Sequence, residues 1–158
     1  MSEERVTVRR RIAATPQAIF AVVAHPEGHV AIDGSGMLVA APDAVAVTAV
    51  GDTFIMNMDR EPLGDIPLGK YTVRNTVTAF EPGRLVEWTI GAVDQPPLGH
   101  VYAFVLHEVS PGVTDVEHYC DWTNFDADMK ARVPKWPIVP VHMLERTLER
   151  LEAHVAGA

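Results

Sequence analysis

The chain has 158 residues and a formal net charge of −8, with 47% hydrophobic and 22% charged residues. This length suits one globular domain with a sizeable core, and the acidic balance argues against nucleic acid or an anionic membrane surface as a partner. The single cysteine, Cys120, cannot form an internal disulfide, and no apolar run approaches the roughly 18 residues of a membrane span. We therefore expect a cytoplasmic protein without membrane insertion.

The N-terminal part of the chain is predicted to form one strand followed by two short helices. Residues 4–13 alternate between apolar and polar side chains, which is the period of a strand. Thr15 is placed to cap a helix over residues 16–24, whose first position is a proline. This helix must stop there because Pro26 disfavours a helical conformation at the residue before it. Residues 26–31 favour a second short helical turn.

The middle of the chain is predicted to consist almost entirely of antiparallel strands. Period-two alternation, bounded by turns rich in glycine, proline and aspartate, predicts strands at residues 37–40, 45–50, 54–59, 71–78, 86–90, 100–109 and 114–123. The segment 59–69 is interpreted as a loop. The Glu81-Pro82-Gly83 turn has a glycine where a hairpin needs a positive φ.

The longest helical pattern lies at the C-terminus, between Pro137 and Val155. Its apolar residues recur at steps of three and four, at Val141, Leu144, Leu148, Leu151 and Val155. Its opposite face is charged and belongs in water, and Gly157 marks its expected end. The apolar stripe must be buried against the sheet. The functional question is whether helix and sheet close tightly or leave a space between them.

The order of these elements resembles the helix-grip fold of the START/Bet v 1-like (SRPBCC) superfamily, which includes the polyketide cyclase/dehydrase and lipid-transport families. The resemblance extends to four motifs: Thr15-Pro16 with Ile19-Phe20, Gly51-Asp52-Thr53-Phe54, the hairpin from Phe80 to Trp88, and Asp121-Trp122-Thr123. It covers essentially the whole chain, so it implies a single domain over residues 1–158. The implied fold is α+β, with a curved antiparallel sheet of six to seven strands, two short helices after the first strand, and a long C-terminal helix over the sheet.

The resemblance also implies a cavity between the sheet and the final helix. Residues on the inward parity of the strands, with two from the helix, are the predicted ligand-binding residues: Phe54, Met56, Met58, Tyr71, Val73, Asn75, Trp88, Ile90, Tyr102, Phe104, His118, Trp122, Met143 and Leu144. We expect a cavity of roughly 300–1,000 Å³, the usual range for ligand sites. The alternative is that these side chains pack as a solid core.

Three polar residues on the inward parity are informative, because a buried polar group needs a partner. Asn75, His100 and His118 each lie among apolar residues. Each is suited either to a ligand carbonyl or hydroxyl, or to a structural hydrogen bond. A one-residue β-bulge would turn these side chains to the opposite face of the sheet.

The sequence does not favour a metal site or a cofactor. His25 and His29 have helical i, i+4 spacing, but Pro26 and Gly28 lie between them and no third ligand is close in sequence. The acidic residues between 59 and 65 lack the spacing of a calcium loop. We therefore expect neither a metal nor a cofactor.

Three functions are compatible with these observations. The first is binding or carriage of a small hydrophobic ligand, lipid- or polyketide-like, by a monomer or homodimer. The second is an enzyme of the cyclase, aromatase or dehydratase type, in which His118 or His100 moves a proton and Tyr71 or Tyr102 polarises an oxygen. The third is a protein-interaction module resembling the Hsp90-activator domain. The lack of a strong catalytic constellation favours the first.

Overall fold

The fold is a curled antiparallel sheet with a long helix packed across part of its concave side. The computed structural model describes residues 3–156. The elements in chain order are β1 (Arg5–Ile12), α1 (Pro16–Val23), α2 (Pro26–Ile32), β2 (Leu38–Ala40), β3 (Thr53–Asp59), a 3-10 turn (Glu61–Leu63), β4 (Lys70–Glu81), β5 (Leu85–Ala92), β6 (Val101–Ser110), β7 (Val113–Asp121), α3 (Ala127–Lys130) and α4 (Val141–Ala156).

The sheet confirms the predicted α+β class. Over the described residues it has seven strands in the order β1-β7-β6-β5-β4-β3-β2, and all neighbouring strands are antiparallel. Each strand from β3 to β7 pairs with the strand next to it in the chain, as the predicted succession of hairpins requires. Among residues 3–156, no helix is long and apolar enough to cross a membrane.

The two short helices begin and end where the local sequence predicts. The Thr15 hydroxyl accepts a hydrogen bond from the Ala18 amide at 3.2 Å, which caps α1. Pro16 occupies the first turn of α1. The chain leaves the helix before Pro26, which starts α2, and His25 caps α2 by accepting from the Glu27 amide at 3.2 Å.

The strand predicted at residues 45–50 is wrong, because this segment is an irregular loop. The Asp52 carboxylate accepts hydrogen bonds from the amides of Thr48 and Ala49 at 2.9 and 3.2 Å. These donors would otherwise serve a strand ladder, so the aspartate side chain competes successfully with sheet pairing. Val47 is buried, but Val45 is 74% exposed.

Helix α4 begins directly after Pro140, and its Leu144, Leu148 and Leu151 are buried as predicted. Two features of its buried face differ from the prediction. Val141 is 38% exposed. Thr147 is buried instead, and its hydroxyl accepts a hydrogen bond from the Gly34 amide at 2.9 Å. The predicted helix end at Gly157 lies outside the described residues.

The position of α4 leaves space over part of the sheet. The helix packs on β1 and β7 and on the two short helices. The concave faces of β3, β4 and β5 therefore lie beside the helix rather than beneath it. This offset between helix and sheet creates the cavity described next.

Candidate ligand-binding cavity

A cavity of about 240 Å³ opens between the concave face of the sheet, α2 and α4. It is smaller than the range of roughly 300–1,000 Å³ expected from the sequence. Its wall consists of His29, Ile32, Asp33, Ser35, Met37, Leu38, Met56, Met58, Arg60, Leu68, Tyr71, Val73, Asn75, Trp88, Ile90, Leu98, His100, Tyr102, Phe104, His118, Ile138, Val139, Leu144 and Thr147.

Most of the predicted ligand-binding residues lie in this wall. Three of the fourteen do not, and the remaining eleven (14 − 3) are Met56, Met58, Tyr71, Val73, Asn75, Trp88, Ile90, Tyr102, Phe104, His118 and Leu144. His100, a predicted catalytic candidate, also lies in the wall. The side-chain alternation of the strands places them there, since residues two apart share one face. Their contact with a ligand stays a prediction.

Phe54, Trp122 and Met143 are not among the residues that line the cavity. The ring of Phe54 packs in the core, 5.6 Å from the ring of His29. Trp122 stacks on Trp136 with ring centroids 5.4 Å apart. Met143 is only one residue before Leu144, and successive residues of a helix point about 100° apart. When Leu144 faces the cavity, Met143 cannot face it as well.

Four aromatic rings of the cavity wall form a continuous stack. His118 of β7 stacks on Phe104 of β6, with centroids 4.2 Å apart and an interplanar angle of 8°. Phe104 lies 5.9 Å from Trp88 of β5, and Trp88 lies 4.5 Å from His29 of α2. The stack joins three strands to α2.

His118 is buried on the predicted face of β7, between the buried Val116 and Cys120. Its Nδ1 donates a hydrogen bond to the Ala103 carbonyl oxygen at 2.9 Å, so the neutral ring keeps its lone pair on Nε2. Burial lowers the pKa of His118 to about 4. The ring is therefore neutral at pH 7.

His29 is a wall residue that the sequence analysis considered only as a metal ligand. Its Nε2 donates to the Val23 carbonyl oxygen at 2.6 Å, and burial lowers its pKa to about 4. His25, four residues earlier, caps α2 and is not part of the cavity wall. The signal for His29 was available, since Pro26, His29 and Ile32 recur at steps of three and form the buried face of α2.

Asn75 and His100 are two further polar residues of the wall. Each is 4% exposed. Among the described residues, Asn75 Oδ1 and His100 Nδ1 are buried atoms without a hydrogen-bond partner. Burial lowers the pKa of His100 to about 4, so this ring is also neutral at pH 7.

Arg60 places a charge in the wall that the sequence analysis missed by assigning residues 59–69 to a loop. The residue is 3% exposed. Its Nε and Nη2 donate to the carboxylate of Asp65 at 2.9 and 2.7 Å, and Nη2 also donates to the Ile138 carbonyl oxygen at 2.9 Å. The bond to Ile138 ties the loop after β3 to the segment before α4. Arg60 continues the inward parity of Met56 and Met58, which was the available signal.

The wall can hold an apolar body and offers a small number of polar contacts. Most of its side chains are aliphatic, aromatic or thioether groups, and Met56 and Met58 can adapt to an irregular shape. In residues 3–156, no group of three or more histidine, cysteine, aspartate or glutamate side chains is arranged to hold a metal ion.

Sequence comparison finds a relative in Mycobacterium tuberculosis. No family model matches the chain. This chain is 33% identical over 118 residues to the uncharacterized protein Rv0088 of Mycobacterium tuberculosis. The match covers 75% of this chain and 47% of that protein. The chain therefore spans about half the length of the curated relatives it matches.

Structural comparison finds the same architecture in proteins of low sequence identity. Protein CV1439 from Chromobacterium violaceum matches with a TM-score of 0.66 and 15% identity over 96% of both chains. Truncated norcoclaurine synthase from Thalictrum flavum matches with a TM-score of 0.64 and 12% identity, over 100% of this chain and 98% of that one. Both matches establish the fold alone. The fold of this chain is therefore the helix-grip fold that these structures share.

Proposed function

We propose that this protein binds or carries a small hydrophobic molecule, lipid- or polyketide-like, in the cavity beside α4. We also propose that residues 1–158 form the single domain that holds it. The observation that carries the proposal is the apolar cavity itself. The open cavity leaves apolar surface unburied, a loss of about 25 cal/mol for each Å². Folded domains are stable by only about 5–15 kcal/mol, and a bound ligand would restore part of the loss.

The cavity volume limits the size of the proposed ligand. At about 30 Å³ per water, 240 Å³ holds about eight water molecules. This space suits a bicyclic aromatic compound or a short acyl chain. A larger lipid would leave its remainder outside the cavity mouth, near the half-exposed Leu68.

The proposal is tested by filling the cavity. Val73 is a buried wall residue on β4, and its neighbour Thr72 faces outward. We expect Val73→Trp to weaken binding of the fluorescent probe 8-anilinonaphthalene-1-sulfonate at least tenfold, and Thr72→Trp to leave it unchanged. Native mass spectrometry of the purified protein should detect a co-purified hydrophobic molecule. No co-purified ligand together with equal probe binding by both variants would refute the proposal.

An enzymatic function is a second candidate, favoured by the position of Tyr102. Its ring lies 5.8 Å from the ring of His100 and 6.4 Å from the ring of His118. In this reading the Nε2 lone pair of His118 accepts a proton and the Tyr102 hydroxyl polarises a ligand oxygen. One structural neighbour is named a synthase. Against this reading, a base whose pKa is about 4 is weak at neutral pH, so binding without chemistry is better supported.

Hydrogen–deuterium exchange on a ketone separates the two functions. If His118 moves protons, the protein should accelerate deuterium incorporation into the methyl group of 2-acetylnaphthalene in D₂O, followed by proton NMR. His118→Leu should then abolish exchange while binding survives. Binding of the ketone without accelerated exchange would leave the carrier function alone.

A further inference from the structure

Asn75 and His100, two polar residues of the cavity wall, differ from the other buried polar groups there because one side-chain atom of each has no hydrogen-bond partner. His29 and His118 each bond a backbone carbonyl oxygen, at 2.6 and 2.9 Å, and Thr147 bonds the Gly34 amide. Asn75 Oδ1 and His100 Nδ1 make no such bond to any described residue. Trp136 Nε1, outside the cavity wall, is a third unpaired buried atom among the described residues. Buried polar groups are normally satisfied, so the two exceptions in the wall need an explanation.

The two side chains share one row across the sheet. Asn75 of β4 is paired with Ile90 of β5, and Ile90 follows Thr89, which is paired with Val101 of β6. Antiparallel pairing therefore places His100 beside Ile90, on the side away from Asn75. Two strand spacings separate the backbones of Asn75 and His100 by about 10 Å. Both side chains line the cavity. The two unpaired atoms themselves are buried, so each side chain must rotate about its last torsion angle to present that atom to a ligand.

The unused atom of Asn75 determines which chemical group can satisfy it. An amide oxygen only accepts hydrogen bonds. A ketone, ether or nitrile offers acceptors and would leave Asn75 Oδ1 unpaired. A hydroxyl offers a donor hydrogen and also an oxygen that can accept.

We propose that the molecule bound in this cavity carries a hydrogen-bond donor, in the simplest case a hydroxyl group, which donates to Asn75 Oδ1, and that His100 receives a second polar group of the same molecule or an ordered water. The inference rests on the proposed ligand-binding function and narrows its ligand class to small, largely apolar molecules with an O–H or N–H donor, such as alcohols and phenols. Asn75 is then a residue kept for the ligand at a cost to the unliganded fold.

The first experiment measures that cost. Asn75→Val removes the unpaired amide and introduces a side chain that suits a strand, as at Val73 and Val77. Because it removes an unsatisfied buried group, it should raise the melting temperature of the ligand-free protein by about 2–4 °C. Thr76→Val makes a polar-to-valine change on the outer face of the same strand and is the control. A lower melting temperature for Asn75→Val than for Thr76→Val would show that the amide is structural and would overturn the inference.

The second experiment measures ligand choice with three probes of similar size, by calorimetry or fluorescence. The probes are 2-naphthol, which has a donor, 2-naphthonitrile, which has only an acceptor, and naphthalene, which has neither. The wild-type protein should bind 2-naphthol about tenfold more tightly than the other two, and Asn75→Val should bind all three within about twofold. Asn75→Ala, which cannot overpack the wall, should lose the same preference, while Thr76→Val should keep it.

The outcomes separate this inference from the function on which it rests. If the wild-type protein binds none of the three probes, the ligand-binding function itself fails. If it binds all three equally, or prefers the nitrile, the cavity binds ligands but the hydroxyl assignment is wrong. If both Asn75 variants keep the preference for 2-naphthol, another residue holds the hydroxyl and the assignment of Asn75 is overturned.

Discussion

Acidification should destabilise this protein well above the pH at which carboxylates are protonated. The perturbation is a change from pH 8 to pH 5, and the responsible groups are the three buried histidines, His29, His100 and His118. Burial lowers the pKa of each from 6.5 to about 4. In the unfolded chain each ring regains its ordinary pKa. Between pH 6.5 and 4 the unfolded state therefore binds more protons than the folded state, and stability falls as pH falls.

The magnitude follows from the size of these shifts. At pH 5 a histidine with a folded pKa of about 4 and an unfolded pKa of 6.5 lowers the free energy of unfolding by about 2 kcal/mol relative to pH 8. Three such rings give about 6 kcal/mol, a large part of the 5–15 kcal/mol of a typical domain. The aspartates with lowered pKa values, such as Asp65 and Asp115, act in the same direction only below their ordinary value of 3.8. Between pH 6.5 and 5 the change in the free energy of unfolding therefore comes from the histidines.

The assay is urea unfolding followed by tryptophan fluorescence at half-unit steps from pH 8 to pH 5. His118→Phe keeps a ring beside Phe104 and removes one titrating group, so it should reduce the pH-dependent loss by about 2 kcal/mol. Phe104→Leu is the matched control, since it weakens the same stack without removing a titrating group and should leave the slope with pH unchanged. Stability that is constant between pH 7.5 and 5, or an unchanged slope in His118→Phe, would refute the burial of neutral rings.

Three further predictions test the packing around the cavity. Leu148→Ala should lower the free energy of unfolding by about 2–5 kcal/mol, because this side chain is 1% exposed in the core. Leu144→Ala should cost less, because Leu144 lies at the cavity wall and fewer contacts are lost. Equal losses in urea titrations would contradict the cavity. Gly28→Ala should lower the melting temperature by several degrees, because the new Cβ would collide with a backbone carbonyl group of α1. An unchanged melting curve would show that the two short helices are not in contact. Arg60→Met should keep the fold but speed amide hydrogen exchange in residues 131–140, because the hydrogen bond from Arg60 to the Ile138 carbonyl oxygen is lost. Unaltered exchange in residues 131–140 would mean that this hydrogen bond does not hold the segment before α4.

The sequence by itself determined the elements whose signals are local. The cap at Thr15, Pro26 at the start of α2, Pro140 directly before α4, and the glycine of the Glu81-Pro82-Gly83 turn act through neighbouring backbone atoms. Gly83 has the expected positive φ of 73°. Side-chain alternation is equally local, which is why the burial of His118 followed from its parity with Val116 and Cys120. The fold class followed from the order of these elements together with the family resemblance.

Only the tertiary structure decided which buried residues meet and how much space they leave. Residues 45–50 have a strand-like pattern, yet Asp52 takes the donors of that segment. Arg60 is buried because Asp65 and the carbonyl group of Ile138, 78 residues away, compensate its guanidinium. The cavity lies beside α4, and its wall includes a ring stack that spans α2, β5, β6 and β7. Periodicity reports the face on which a side chain lies, whereas volume and partners depend on contacts between segments far apart in the chain.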